Sequence, residues 1–131
     1  MTNSQVKKIL VVEDEAAIAK VLADQLRLEG FVVLKAKNGE EGLQLAMEER
    51  PDLILLDVIM PKMDGLEMLR HFYLQGEAAA KAVPVILLTN MTDDEAMTTV
   101  PQDGIVHYMV KTNWSLSSVV KRIKEVLAQT E

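Results

Sequence analysis

Five residues in this 131-residue chain stand where short apolar runs give way to polar sequence, and their types suit one kind of chemistry. Glu13 and Asp14 follow Ile9-Leu10-Val11-Val12. Asp57 ends Leu53-Ile54-Leu55-Leu56, Thr89 ends Val85-Ile86-Leu87-Leu88, and Lys111 follows Ile105-Val106-His107-Tyr108-Met109-Val110. Three carboxylates brought together repel one another, so either a proton or a cation must join them. Oxygen-only ligation with open positions suits Mg²⁺, which prefers carboxylates and waters and binds alongside phosphate oxygens. Thr89 offers a hydroxyl donor. Lys111 offers a compact positive charge that can pair with Asp57 or with an added anion. Such a set suits phosphoryl transfer, where positioning and charge neutralisation dominate. A carboxylate can itself be the nucleophile, giving an acyl phosphate. Asp57 is the central candidate.

Whether the five residues meet depends on the elements that carry them. The run Ile9 to Val12 reads as a strand. Ile18, Val21, Leu22, Leu26 and Leu28 then recur at helical spacing, and Glu29-Gly30 supplies a stop. Phe31-Val32-Val33-Leu34 is a second strand, ended by Asn38-Gly39. Leu43, Leu45, Ala46 and Met47 mark a shorter helix closed at Arg50-Pro51, since the residue before proline leaves helical space. Leu53 to Asp57 reads as a strand buried on both faces. Leu66, Met68, Leu69, Phe72 and Tyr73 give the next helix, which runs into weakly patterned sequence over 75–83. A fourth strand ends at Thr89. Residues 93–100 make a poor helix, because Thr98, Thr99 and Val100 are β-branched and Pro101 lacks a donor. After Gly104 a fifth strand, 105–110, ends at Lys111. Leu116, Val119, Val120, Ile123, Val126 and Leu127 form a final amphipathic helix, with Ser115 as its cap.

Strands alternating with helices predict a parallel sheet covered on both faces. Five of each suggest an α/β, doubly wound, flavodoxin-like (βα)5 domain. Sites in such sheets form at the carboxyl ends of the strands. Parallel strands therefore bring Glu13, Asp14, Asp57, Thr89 and Lys111 to one edge.

Composition narrows the function classes. The chain is 49% hydrophobic and 26% charged, which fits one folded domain over residues 1–131. A net charge of −6 disfavours non-specific binding to nucleic acid or anionic membrane. With no cysteine there is no disulfide, thiol catalysis or cysteine metal site. The polar N-terminus lacks a signal-peptide core and no apolar run is long enough to span a membrane, so a cytoplasmic, soluble protein is expected.

Taken together, Val11-Val12-Glu13-Asp14-Glu15, Leu55-Leu56-Asp57, Met60-Pro61-Lys62-Met63-Asp64-Gly65-Leu66, Leu87-Leu88-Thr89 and Tyr108-Met109-Val110-Lys111 resemble a response-regulator receiver domain of two-component signalling. The resemblance covers almost the whole chain and rests on the order and spacing of these motifs. It implies the strand order 2-1-3-4-5, of which receiver proteins are a known example. It further implies that Asp57 accepts a phosphoryl group from the phosphohistidine of a sensor kinase or phosphotransfer protein. Asp14, Asp57 and the Ile59 carbonyl would ligate Mg²⁺, with Glu13 acting through water. Thr89 and Lys111 would hold the phosphoryl oxygens, and Tyr108 would be the switch aromatic. The fourth helix, fifth strand and fifth helix would form the output face for a downstream protein partner. Self-phosphorylation and slow dephosphorylation would be the only catalysis. A stand-alone response regulator, monomeric or weakly dimeric, with no direct nucleic-acid contact, is the expectation.

Some positions depart from the family pattern. Glu13 stands where Asp is commoner, and its extra methylene is tolerable if its metal contact runs through water. Thr112 replaces the usual proline after Lys111, so a trans bond is expected, a non-proline cis bond costing about 2.5–4 kcal/mol. Asn90 is larger than the usual Ala or Gly and would narrow entry to the site. Ile59 and Met91 are apolar where the family tunes phosphoryl lifetime. A long-lived phosphoryl group follows as a hypothesis, which a hydrolysis half-life of only seconds would contradict. Pro101 makes the fourth helix short or mobile.

Blander readings apply elsewhere. His71 and His107 have no ligand spacing and are surface or strand residues. The methionines are mostly core filler, with Met60, Met63 and Met91 as candidates for a partner groove. Lys121, Arg122 and Lys124 read as a solvated helix face. Trp114 should lie near Lys111, where its fluorescence would report Mg²⁺. Two rival functions remain: a pseudo-receiver that works without phosphate, and a flavin-binding domain of similar fold. The second would need a Gly/Ser/Thr-rich phosphate loop after the first strand. This chain has Glu13-Asp14-Glu15-Ala16-Ala17 there.

Overall fold

The computed structural model describes residues 6–58, 63–89, 104–110 and 114–130. Within them the chain runs β1 (Lys8–Val12), α1 (Ala16–Leu28), β2 (Val32–Ala36), α2 (Gly39–Glu49), β3 (Leu53–Asp57), α3 (Gly65–Lys81), β4 (Val85–Thr89), β5 (Val106–Val110) and a C-terminal helix, α4 (Leu116–Thr130). All five strands are parallel, in the order β2-β1-β3-β4-β5. The helix expected over 93–100 lies outside the described residues.

Alternation along the strands sorts the core into two layers. Leu10, Val12, Ile54, Leu56, Val85 and Leu87 pack with α2 and α3 residues such as Ala46, Met68, Leu69 and Phe72. Ile9, Val11, Leu53, Leu55, Ile86 and Leu88 pack instead with Leu22 and Leu26 of α1 and Val119, Ile123 and Val126 of α4. This is why β1, β3 and β4 read as unbroken aliphatic runs: each face of the strand meets a helix layer. Leu53 to Leu56 are each at most 1% exposed, and burying each such side chain is worth about 2 kcal/mol.

The helix ends follow from local chemistry. At the end of α1, Gly30 takes φ +97°, and the Phe31 amide donates to the Leu26 carbonyl at 3.1 Å, the pattern of a Schellman stop. Helix α2 ends at Arg50, in the left-handed region with φ 48°, immediately before buried Pro51. Ser115 caps α4 reciprocally: its Oγ accepts from the Ser118 amide at 3.2 Å, and Ser118 Oγ accepts from the Ser115 amide at 2.8 Å.

Several boundaries differ from the sequence expectation: β1 begins one residue earlier, at Lys8, and β5 one residue later, at Val106. Strand β2 begins at Val32 and continues through Lys35 to Ala36, because its ladder to β1 extends to the pair Val12–Ala36. Asn38-Gly39 starts α2 as well as stopping β2: Asn38 Oδ1 accepts from the Glu41 amide at 2.9 Å, the bond of an N-cap. Residues 75–81 belong to α3, which is broken at Glu77, where φ is 52° and ψ −135°.

Candidate functional site

The register of the sheet sets the site. Val12 pairs with Leu56, so one step further Glu13 stands level with Asp57 at the carboxyl edge. The Glu13 amide donates to the Ala36 carbonyl at 3.0 Å and the Val58 amide to the Leu88 carbonyl at 3.1 Å, so both ladders continue past the carboxylates. Glu13 and Asp57 are in phase with Ile9 and Val11 and with Leu53 and Leu55, which face the α1–α4 layer. The carboxylates of Glu13, Asp14 and Asp57 each offer an oxygen within 4.8 Å of the others. Glu13 is 2% and Asp57 3% exposed, while Asp14 is exposed and opens the cluster to solvent.

Ionised groups are rarely so buried without compensation. Three carboxylates at this spacing, two of them nearly sealed, provide an all-oxygen donor set with one open side. That set fits a hard divalent cation that keeps some of its waters.

Thr89 ends β4 and is 2% exposed. Its β3 neighbour is set by the pair Asp57–Leu88, so Thr89 lies one residue beyond Asp57's partner. It is in phase with Val85 and Leu87, towards the α2–α3 layer. Tyr108 pairs with Leu87 on β5 and is half-buried against that same layer. Thr89 pairs with Val110, the residue before Lys111. Lys111 and Ile59 lie outside the described residues, as do Asn90, Met91, Thr112 and the methionines at 60 and 91. Met63 packs, partly buried, on the α2–α3 core. Trp114 packs on the other core, beside α1 and α4.

The two histidines stand apart from the carboxylates. His71 is a half-buried residue of α3. His107 is a β5 residue whose Nδ1 lies 3.2 Å from Arg122 Nη2. Arginine can only donate, so Nδ1 accepts and the ring carries its proton on Nε2. Burial and the Arg122 charge both hold the His107 pKa below its ordinary value. The basic face of α4 meets solvent as its sequence suggests, with Lys121 and Lys124 exposed, and it also carries polar contacts. Arg122 also lies 3.8 Å from Glu125, and Lys124 pairs with Glu29 at the end of α1, because α4 packs beside β5 and α1. A groove of about 770 Å³ between α1 and α4, lined by Gln25, Glu29, Leu116, Val120 and Lys124 among others, contains none of the three carboxylates.

Sequence reasoning took Gly39 as a strand stop and Gly65 as part of a motif, and gave neither a part in positioning the site. An added Cβ on Gly65 would stand 2.3 Å from the Asp57 carbonyl oxygen, and one on Gly39 would stand 2.1 Å from that of Met63. The available signal was glycine at the first position of a helix, directly after an Asn or Asp cap.

The response regulator receiver domain family model matches residues 9–124. The alkaline phosphatase synthesis transcriptional regulatory protein PhoP of Bacillus subtilis (strain 168) is 37% identical over 125 residues, 95% of this chain and 50% of that protein. The probable transcriptional regulator ycf27 of Guillardia theta is 36% identical over 124 residues, 95% of this chain and 46% of that protein. The chain therefore spans about half the length of the curated relatives it matches. Among solved structures, the chemotaxis protein CheY4 of Vibrio cholerae has a TM-score of 0.83 at 29% identity, over 93% of this chain and 99% of that one. A CheY-like response regulator receiver domain protein from Methanospirillum hungatei JF-1 gives 0.84 at 27% identity, over 96% and 97% of the two chains.

Proposed function

The chain belongs to the response regulator receiver domain family, and from that premise we propose that it is the phosphoacceptor switch of a two-component phosphorelay, with Asp57 as the acceptor. The observation that carries the reading is the near-sealed Asp57 carboxylate at the carboxyl edge of β3, clustered with Glu13 and Asp14. An Asp57 oxygen attacks the phosphorus of a phosphohistidine. The P–N bond breaks as the P–O bond forms, the imidazole leaves with a proton from solvent, and an acyl phosphate remains. Asp14, Asp57 and the Ile59 carbonyl would hold Mg²⁺, with Glu13 acting through water. The ion supplies neutralisation of charge on the transferring group. The Thr89 hydroxyl donates to a phosphoryl oxygen, and Lys111 pairs with the added anion.

Asp57 charged and Asp57 phosphorylated differ in what Thr89 can bond, and Tyr108 lies on the same face of the neighbouring strand. A shift of Thr89 towards the phosphoryl group favours the arrangement with Tyr108 turned inward. The output face comprises residues 93–100, β5 and α4, offered to a downstream protein partner. A sensor kinase or phosphotransfer protein is the donor. Residues 9–124 make up one receiver domain, for which the cytoplasm is the proposed location. Among the described residues no helix is long and apolar enough to cross a membrane.

Intact mass after incubation with acetyl phosphate and Mg²⁺ tests the reading. Wild type gains one phosphoryl group and Asp57→Asn gains none. No gain in wild type, or an equal gain in the variant, would overturn it and favour the pseudo-receiver alternative.

A further inference from the structure

Gly39 and Gly65 each open a helix, where glycine is a poor choice. Alanine loses less conformational freedom in a helix and stabilises it relative to glycine. Neither glycine takes a positive φ; among the described glycines only Gly30 does. Backbone conformation therefore gives no reason for them. Close approach does. A Cβ on Gly39 would meet the Met63 carbonyl oxygen at 2.1 Å and the Met63 Cβ at 2.7 Å. A Cβ on Gly65 would meet the Asp57 carbonyl oxygen at 2.3 Å and the Val58 Cα at 2.9 Å. Main chain cannot swing aside as the tip of a side chain can.

The two contacts form a series. The first turn of α2 seats Met63, two residues before Gly65. Asp64, between them, caps α3 by accepting from the Glu67 amide at 2.8 Å. Gly65 then closes on β3, its amide donating to the Val58 carbonyl at 2.8 Å. Asn38, the buried cap of α2, fixes the other side of the Gly39 seat. The backbone at Asp57 is thus wedged between the sheet and the α3 terminus, which is itself located by α2.

We propose that Gly39 and Gly65 are positioning residues for the carboxylate cluster: the missing side chains let the Met63 and Asp57 carbonyls seat against α2 and α3, which sets where the Asp57 carboxylate stands relative to Glu13 and Asp14. This rests on reading that cluster as the metal end of the site. Groups that orient a ligand from behind typically change metal affinity by about 10-fold or more when altered.

The test compares Gly39→Ala, Gly65→Ala and Gly76→Ala in the full chain. Gly76 is the control, since its added Cβ would meet only the Ala80 Cβ closely, at 2.6 Å, in the last third of α3. Two readouts are followed by NMR: the Asp57 and Glu13 side-chain carboxyl resonances without metal, and the Mg²⁺ dissociation constant. Gly39→Ala is decisive, because Gly39 touches none of the carboxylate residues closely. The expected result is shifted carboxyl resonances and Mg²⁺ binding weakened about 10-fold or more for Gly39→Ala and Gly65→Ala, with Gly76→Ala like wild type in both. A folded Gly39→Ala with unchanged carboxyl resonances overturns the proposal, and so does an equal effect from Gly76→Ala. If Gly65→Ala does not fold, Gly39→Ala decides alone. If wild type binds no Mg²⁺, the metal reading fails, and the metal-free carboxyl resonances still decide this proposal.

Discussion

Every residue of β3 is buried, whereas every residue of β5 is half-buried. Both are five-residue parallel strands of one sheet, and both carry a residue of the proposed switch. They differ in position. Strand β3 lies between β1 and β4, with both faces under helices, while β5 ends the sheet. The strand holding Asp57, the proposed phosphoacceptor, is therefore covered on both faces, as a site requiring a set geometry needs. The strand holding Tyr108 has less packing to lose when it rearranges. Burial is thus deepest at the strand that carries the proposed acceptor and shallower at the strand that carries the proposed switch aromatic.

Matched truncations on the layer facing α1 and α4 sharpen this contrast most. Leu55→Ala should cost about 3 kcal/mol, because it empties a sealed site. Met109→Ala should cost about half as much, roughly 1.5 kcal/mol, since its side chain already meets solvent. Urea denaturation of the two variants measures both, and equal losses would break the comparison.

A smaller effect comes from His107, which ties β5 to α4 through Arg122. Its folded pKa lies below the unfolded 6.5 because of burial and the Arg122 charge. The unfolded chain therefore takes up the proton first. Stability from this group is whole above pH 6.5 and falls as the pH drops below it. Urea midpoints compared either side of that pH should show the loss in wild type and a flatter profile in His107→Gln. A profile unchanged by the substitution would show that the link carries no pH dependence.

The smallest effect is expected two residues further along α4, at Lys124. Lys124 lowers the Glu29 pKa by hydrogen bond and charge, so the pair's contribution is present above pH 4.5 and lost on acidification. Both side chains are wetted and screened. Glu29→Gln should leave the melting temperature within experimental error. A clear drop would show that the pair contributes to the docking of α4 despite its exposure.

Much of this was legible in the sequence for a physical reason. Unbroken runs such as Leu53 to Leu56 are stable only where water is excluded from both faces. Three such runs, with two further apolar strands and helical segments between them all, leave few folds. The helix ends were also local: Gly30 and Arg50-Pro51 stop helices and Ser115 starts one, each through its own backbone and side-chain chemistry. The end of β2 was less legible, because Lys35 and Ala36 join the sheet only through the partner strand. The break at Glu77 has no signal beyond weak patterning, and nothing in its neighbourhood explains its conformation. Arg122 and Lys124 do face solvent, but their partners His107 and Glu29 were not legible, because helical periodicity does not say which neighbours a polar face will meet.

Residue types and hydrophobic patterning alone identified which residues could do chemistry, and that parallel strands would carry Glu13, Asp14, Asp57 and Thr89 to one edge. Hydrophobic period and residue type are enough for that. Only the tertiary structure decided that Glu13 and Asp57 are nearly sealed while Asp14 is open, because burial depends on register and on which helices cover the strand ends. It alone decided that Gly39 and Gly65 abut the main chain of other segments. A glycine in a sequence records the absence of a side chain, and only the fold shows what occupies its place.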